Sequence, residues 1–194
     1  MNMQKYLIAS LVIIGFSFGS LNADDNDKSN SGFFFGLGAG MTGVDIGNQD
    51  PFQGIGVSLE VGYVVNEKIS FYLGSPIGTS DSTNGVFLGL VGVGGIYQIN
   101  DKMYVSLTMG SSILDIESVS GLEIRTLNLR GDGVNATYGY NLTPSSSLEA
   151  GFSSLQFDSI VNARTNQTLA KLNANEAKEL DSLLISLIYK KRWY

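Results

Sequence analysis

Residues 54–63 read GIGVSLEVGY, and the alternation within this segment indicates the fold class. Apolar residues alternate with small or polar ones, the first set being Ile55, Val57, Leu59, Val61 and Tyr63 and the second Gly54, Gly56, Ser58, Glu60 and Gly62. Because successive side chains of a strand point to opposite faces, one face is apolar and the other is not. A strand of this kind is typical of a transmembrane β-barrel wall, which has lipid on one side and a lumen on the other.

The same alternation repeats along the chain and predicts eight strands. Apolar faces of this kind are formed by Phe33, Phe35, Leu37, Ala39 and Met41; by Ile69, Phe71 and Leu73; by Met103, Val105, Leu107 and Met109; by Val134, Ala136, Tyr138 and Tyr140; and by Leu148, Ala150 and Phe152. The fourth strand, about Val86 to Ile99, is apolar on both faces, so its orientation stays open. The last strand runs from about Ser182 to Tyr194.

The connections between these strands alternate in length. Short turns lie at 64–68, 100–102 and 141–145, whereas longer connections lie at about 42–53, 75–85, 118–121 and 158–180. Short turns at one rim and long loops at the other are the plan of an up-and-down antiparallel transmembrane barrel, with the short-turn rim in the periplasm. We also expect a projecting third hairpin, and a short helix within 168–182.

The N-terminus has the pattern of a secretory signal peptide. Lys5 precedes an apolar run from Tyr6 to Phe18, and a small polar stretch ends at Ala23. The run is shorter than the ~20 residues of a membrane anchor, so we expect cleavage after Ala23, with an uncleaved anchor as the alternative. The predicted organisation is a signal peptide over 1–23, a short polar segment over 24–31, and one barrel domain over 32–194.

Composition excludes several classes of function. Charged residues make up 15% of the chain, against a usual ~25%. Removing residues 1–23 takes one Lys and no acid from 12 basic and 18 acidic residues, leaving 11 and 18 and a net charge of −7. An acidic exported chain gives no reason to expect nucleic-acid binding. The chain has no His and no Cys, so nucleophiles activated by His, and metal sites built on either residue, are excluded. We expect no enzymatic activity, cofactor or metal.

Two unpaired sheet edges would not be tolerated in lipid, so we expect the first and last strands to pair. The last strand ends in Trp193 and Tyr194. With the eight strands, the loop alternation and pairs such as Gly139-Tyr140, the chain resembles the small eight-stranded OmpA/OmpX-type outer-membrane β-barrels over residues 32–194. The resemblance implies an outer-membrane location, contact with outer-membrane lipids and lipopolysaccharide, and an assembly signal at Trp193 and Tyr194 that the barrel-assembly machinery reads.

Five aromatic side chains fall on lipid-facing positions close to the short-turn rim. These are Tyr63, Tyr97, Tyr140, Tyr189 and Trp193. Aromatic rings at this depth form the interfacial girdle of a barrel, and we predict that role for them. Stacking on a ligand is the alternative.

Four charged residues share lumen-facing parity near the same rim: Glu60, Glu149, Lys190 and Arg192. We predict that they meet, with Tyr72, Tyr104 and Thr137 at the same level. Two interpretations stay open, a gate in a narrow pore, which the resemblance implies, and a static network that fills the lumen.

Members of this family share the barrel but differ in role, so the fold does not settle function. We expect a structural or surface-interaction barrel, similar to an adhesin, whose exposed loops contact a surface ligand. The alternative is a narrow gated pore for ions or small solutes.

Overall fold

The computed structural model describes residues 31–47, 51–81, 85–120, 123–162, 165 and 167–194; at 76, 80, 81, 117–120 and 123–126 only the backbone is considered. The predicted signal peptide, and the polar segment up to residue 30, lie outside this range. Within it, no helix is long and apolar enough to cross a membrane.

Eight antiparallel strands form a closed barrel. They are β1 (Gly32–Ile46), β2 (Phe52–Val64), β3 (Ile69–Asp81), β4 (Val86–Asn100), β5 (Met103–Ser120), β6 (Glu123–Thr143), β7 (Ser146–Leu155) and β10 (Ser182–Trp193). Each strand pairs with its neighbours in the chain, β10 pairs with β7, and β1 pairs with β10 to close the wall. The predicted fold class is therefore confirmed.

Two short strands and one helix lie between β7 and β10. They are β8 (Ser159–Val161), β9 (Thr168–Lys171) and α1 (Ala174–Leu180). β8 pairs with the far end of β6, and β9 pairs with β8. Asn173 starts the helix with a capping box, in which its side chain accepts from the amide of Glu176 and Glu176 reaches back to the amide of Asn173.

The exterior of the barrel is apolar along every wall strand. Side chains predicted to face lipid are solvent-exposed in the isolated chain, including Phe33 at 78%, Met109 at 60% and Phe152 at 50%. β4, whose orientation the sequence left open, exposes Val91, Val93 and Tyr97 outward and buries Leu88, Leu90 and Ile96 in the lumen. An apolar surface of this extent is stable only against lipid.

The long connections differ from the prediction, because the strands continue into them. β1 runs to Ile46 and β2 begins at Phe52, while β3 runs to Asp81 and β4 begins at Val86. The short helix expected within 168–182 is present as α1 (Ala174–Leu180), and residues 168–171 before it form β9. These strand extensions were not predicted, because residues that usually favour turns, such as Gly43, Pro76 and Gly78, lie inside the strands.

The lumen contains two packed regions. At its long-loop end lies an apolar cluster, which we call the loop-end core: Val44, Ile46, Ile77, Val86, Leu88, Leu90, Leu114, Leu129, Leu155, Phe157, Leu184 and Ile188. At the short-turn end lies a second cluster, which we call the aromatic layer: Phe34, Tyr72, Ile96 and Tyr104. Small polar side chains lie between the two, and Asn135, for example, donates to Thr137 and accepts from Ser153.

Glycines shape the wall around these regions. Gly74, Gly92, Gly110 and Gly133 are register partners across β3, β4, β5 and β6. A Cβ at Gly92 would collide with the backbone at Met109 and Gly110. Adjacent strands approach so closely only where the sheet curls sharply, and this row of glycines is therefore the line along which the barrel bends.

The rings of the aromatic layer also depend on glycine. Phe34 is paired with Gly62, Tyr72 with Gly94, and Tyr104 with Gly139. In each pair, a Cβ on the glycine would overlap the partner's ring. Each ring therefore lies flat over the neighbouring strand, so that three large rings fit inside a narrow barrel.

Candidate functional site in the barrel lumen

The four charged residues predicted to meet come from three strands. Glu60 lies on β2, Glu149 on β7, and Lys190 and Arg192 on β10. β1 runs between β2 and β10, and its Gly36 is the register partner of both Glu60 and Arg192. Because Gly36 has no side chain, groups from β2 and β10 can meet across β1.

These four side chains, which we call the charged layer, contact one another directly. Lys190 Nζ lies 2.7 Å from Glu149 Oε2 and also binds Glu60 Oε1. Arg192 Nη2 lies 2.8 Å from Glu149 Oε1, and its Nε lies 3.3 Å from Glu60 Oε2. Each carboxylate therefore binds both cations, and the charges sum to zero.

The charged layer is almost completely withdrawn from water. The residues are 1% exposed at Glu60, 4% at Glu149, 1% at Lys190 and 6% at Arg192. Removing ions from water costs several kcal/mol for each ion, and only the close contacts between opposite charges offset it. The geometry meets this requirement, because the two carboxylates and the two cations alternate.

Tyr104 on β5 is a fifth member of the site. Its hydroxyl donates to Glu149 Oε1 and accepts from Arg192 Nη1 at 3.0 Å, and Ser147 Oγ lies 2.8 Å away. The guanidinium of Arg192 also stacks on its ring, with Cζ 4.9 Å from the centroid. The sequence placed Tyr104 only at the same level, and its contacts with Glu149 and Arg192 were not predicted.

Two other residues expected at this level bond elsewhere. The hydroxyl of Tyr72 binds Thr108, and Thr137 accepts from Asn135 at 2.9 Å. The charged layer and Tyr104 together therefore join β2, β5, β7 and β10 across the lumen. It offers no general acid or base to a substrate, because every carboxylate oxygen is already bound to a cation. Within the described residues, no group of three or more Asp, Glu, His or Cys could hold a metal ion.

The predicted girdle residues all face outward. Tyr63, Tyr97, Tyr140 and Tyr189 are 41–49% exposed. Trp193 stacks on Phe35 with 5.8 Å between ring centroids, and the ammonium of Lys191 lies 5.4 Å from the indole.

The last two aromatic residues of the chain turn to opposite sides of the wall. Trp193 continues the outward series of Leu187 and Tyr189, whereas Tyr194, which follows the strand and is 60% exposed, has the sequence parity of Lys190 and Arg192. The ring of Tyr194 lies 5.9 Å from that of Phe34, at the short-turn mouth of the lumen.

No family model matches this sequence, and no curated protein resembles it significantly. Solved structures do resemble it. Neisserial surface protein A is 16% identical, covers 84% of this chain and 99% of its own, and has a TM-score of 0.54. Ail, the attachment invasion locus protein of Yersinia pestis, is 14% identical over 85% of this chain and 99% of its own, with a TM-score of 0.53. The N-terminal β-barrel domain of Pseudomonas aeruginosa OprF is 11% identical over 84% and 100%, with a TM-score of 0.50.

The chain has the fold of the small eight-stranded outer-membrane β-barrels. The identities are low, so the likeness shows the fold alone. Together with the apolar exterior, this fold confirms the predicted outer-membrane location. None of the three names describes an enzyme.

Proposed function

We propose that this protein is a closed barrel of the outer membrane that acts through its long-loop end, as a structural or surface-interaction protein similar to an adhesin. The observation that supports this most directly is the loop-end core. Six of its leucines are 0% exposed, at 88, 90, 114, 129, 155 and 184. A lumen filled with packed leucine offers no path for water or ions.

The fourth connection closes this end of the barrel. Phe157, which follows β7, is 1% exposed within the loop-end core. Leu172, two residues before α1, and Leu180, the last residue of α1, pack against the same core. The amide of Gly47 donates to the carbonyl of Asp181 at 3.0 Å, which ties the end of the helix to the first loop. The loop end is therefore a fixed platform suited to recognition.

The charge of the platform limits the partners it favours. Its described charged side chains are seven acids and three bases: Asp45, Asp115, Asp132, Asp158, Glu176, Glu179 and Asp181, against Arg130, Lys171 and Lys178. Ail has been solved in complex with a heparin analogue, which is polyanionic. An acidic platform repels such a ligand, so we propose a neutral or positively charged surface ligand for this chain.

The second candidate function is a narrow gated pore, and the charged layer is the observation that favours it. Four ionised side chains across a lumen, each with two partners of opposite charge, could exchange partners and open a path. In this chain the path would also require the loop-end core to move. Conductance separates the two functions, and the closed barrel predicts none.

The first prediction concerns topology. An epitope that replaces residue 166, between the exposed residues Thr165 and Gln167, is expected to leave the barrel folded, because exposed loop tips tolerate insertions. Antibody should bind intact cells, since we place the long-loop end outside. The matched control is the same epitope between Asp101 and Lys102, in a short turn. Labelling of the control on intact cells, with the position-166 insertion labelled only after permeabilisation, would reverse the proposed topology.

The second prediction concerns assembly, for which we propose the C-terminal aromatic pair as the signal read by the barrel-assembly machinery. Deleting Trp193 and Tyr194 is expected to leave unfolded chain in the periplasm. Trp193→Ala should account for most of this loss, because Trp193 lies on the outward face with Leu187 and Tyr189, whereas Tyr194→Ala should still assemble. Heat-modifiable migration of outer-membrane fractions measures the folded barrel. Equal loss in both single variants would contradict the separation.

A further inference from the structure

A shallow groove crosses the lipid-facing surface of β2, β3, β4 and β5 and is bordered by Phe33 of β1. It has a volume of about 520 Å³, and its walls are almost entirely apolar. At the centre of the groove Phe71 is the register partner of Gly95, and Gly95 is that of Leu107. Gly95 faces outward. Because it has no side chain, it leaves a notch in the apolar lipid-facing surface between Phe71 and Leu107.

A second depression lies at the short-turn rim, next to the groove. It is lined by Ser31, Val65, Asn66, Glu67, Lys68, Ile69 and Tyr97. Ile69 and Tyr97 each lie two residues from a residue of the groove, Phe71 and Gly95, on the same face of the same strand, a step of about 7 Å. The two depressions therefore follow one another along the barrel wall, from the apolar lipid-facing surface to the membrane–water interface.

The turn that forms the second depression is fixed. The side-chain oxygen of Asn66 accepts from the amides of Lys68 and Ile69, both at 2.9 Å. This turn presents one carboxylate, from Glu67, beside one ammonium, from Lys68, both exposed at the rim. A molecule that occupies both depressions would therefore have an apolar part in the groove and a polar part at the membrane–water interface. The polar part would carry one negative and one positive group.

From this arrangement we propose that the wall holds a specific site for a zwitterionic aminophospholipid. One acyl chain lies in the groove over Gly95, the phosphate binds Lys68, and the headgroup ammonium binds Glu67. Phosphate and ammonium are complementary to the two charges of the turn. The site differs from ordinary lipid contact, because it combines a defined notch with a defined pair of charges.

The test measures lipid retained by the folded, detergent-solubilised barrel in native mass spectrometry, with palmitoyl-oleoyl phosphatidylethanolamine as the probe. Wild type is expected to bind one saturable lipid. Gly95→Leu fills the notch and should weaken binding at least about fivefold. A Cβ at this position would lie 3.7 Å from the ring of Phe71 and 3.9 Å from the carbonyl oxygen of Ser70, so the substitution starts without a clash. The matched control is Ala136→Leu, which is paired with Leu107 at the same level but lies outside the groove.

The headgroup is tested separately. Lys68→Gln should weaken binding about fivefold, and Glu67→Gln should remove the preference for phosphatidylethanolamine over phosphatidylglycerol. Wild-type binding that does not saturate, or equal retention by wild type, Gly95→Leu and Ala136→Leu, would show ordinary annular lipid and overturn the proposal. The proposal would also be overturned if wild type bound phosphatidylglycerol or lipopolysaccharide more tightly than phosphatidylethanolamine, a comparison that needs no variant.

Discussion

Glu149→Gln is expected to lower the free energy of unfolding of the barrel by about 3–5 kcal/mol, the usual cost of removing one partner from a buried ion pair. Glu149 neutralises Lys190 at 2.7 Å and Arg192 at 2.8 Å, and it accepts from Tyr104. Without its charge, two buried cations share the single carboxylate of Glu60. The measurement is urea unfolding in lipid vesicles, followed by the fluorescence of Trp193, the only tryptophan of the chain.

The matched comparison is the double variant Glu149→Leu with Lys190→Leu. It removes one charge of each sign and leaves Glu60 facing Arg192 at 3.3 Å. Replacing a buried pair by apolar groups is often nearly neutral, so the double variant should be more stable than Glu149→Gln. Asp101→Asn, in an exposed turn, controls for the loss of one carboxylate and should stay within about 0.5 kcal/mol of wild type. If every variant unfolded at the same urea concentration as wild type, the charged layer would be exposed to water.

Gly92→Ala is expected to reduce the stability of the barrel by about 3 kcal/mol, the upper end of the range for overpacking. The added Cβ would lie 2.7 Å from the Cα of Gly110, in backbone that cannot turn away as a side chain can. Gly95→Ala, three residues along the same strand, is the matched control. Its Cβ meets nothing closer than 3.7 Å, so the barrel should keep wild-type stability.

The same urea titration measures both glycine variants. Equal midpoints for Gly92→Ala and Gly95→Ala would show that the row of glycines is not the line along which the barrel bends. A large loss in Gly95→Ala would show that the outward notch is required for folding.

The alternation of apolar and small residues was sufficient to predict the eight wall strands and the faces of all of them except β4. Ile55 and Glu60 differ by an odd number of positions, so they must lie on opposite sides of any strand that contains both. The same parity placed Glu149, Lys190 and Arg192 in the lumen, and the turn lengths placed them near one rim. What the alternation could not give was distance across the barrel, which depends on glycines such as Gly36 and on the curl of the sheet.

The loop-end core was not predicted, because parity loses its meaning where both faces are apolar. Leu88 and Leu90 face the lumen while Val91 and Val93 face outward, and all four are equally apolar in the sequence. Phe157 lay between the residues assigned to the seventh strand and the loop predicted over 158–180, so it had no assigned side. The loop-end core, which bears most directly on conduction, was therefore the part of the lumen that only the structure supplied.

The central claim is that the lumen is closed, and single-channel recording of the wild-type barrel in planar bilayers tests it most directly. Glu60→Ala opens the charged layer alone, and Leu90→Ser with Leu129→Ser opens the loop-end core alone. We predict no resolved conductance in wild type, and none in either variant, because each keeps the other closure intact. Steady or gated conductance in wild type, increased by Glu60→Ala, would contradict the account and establish the pore.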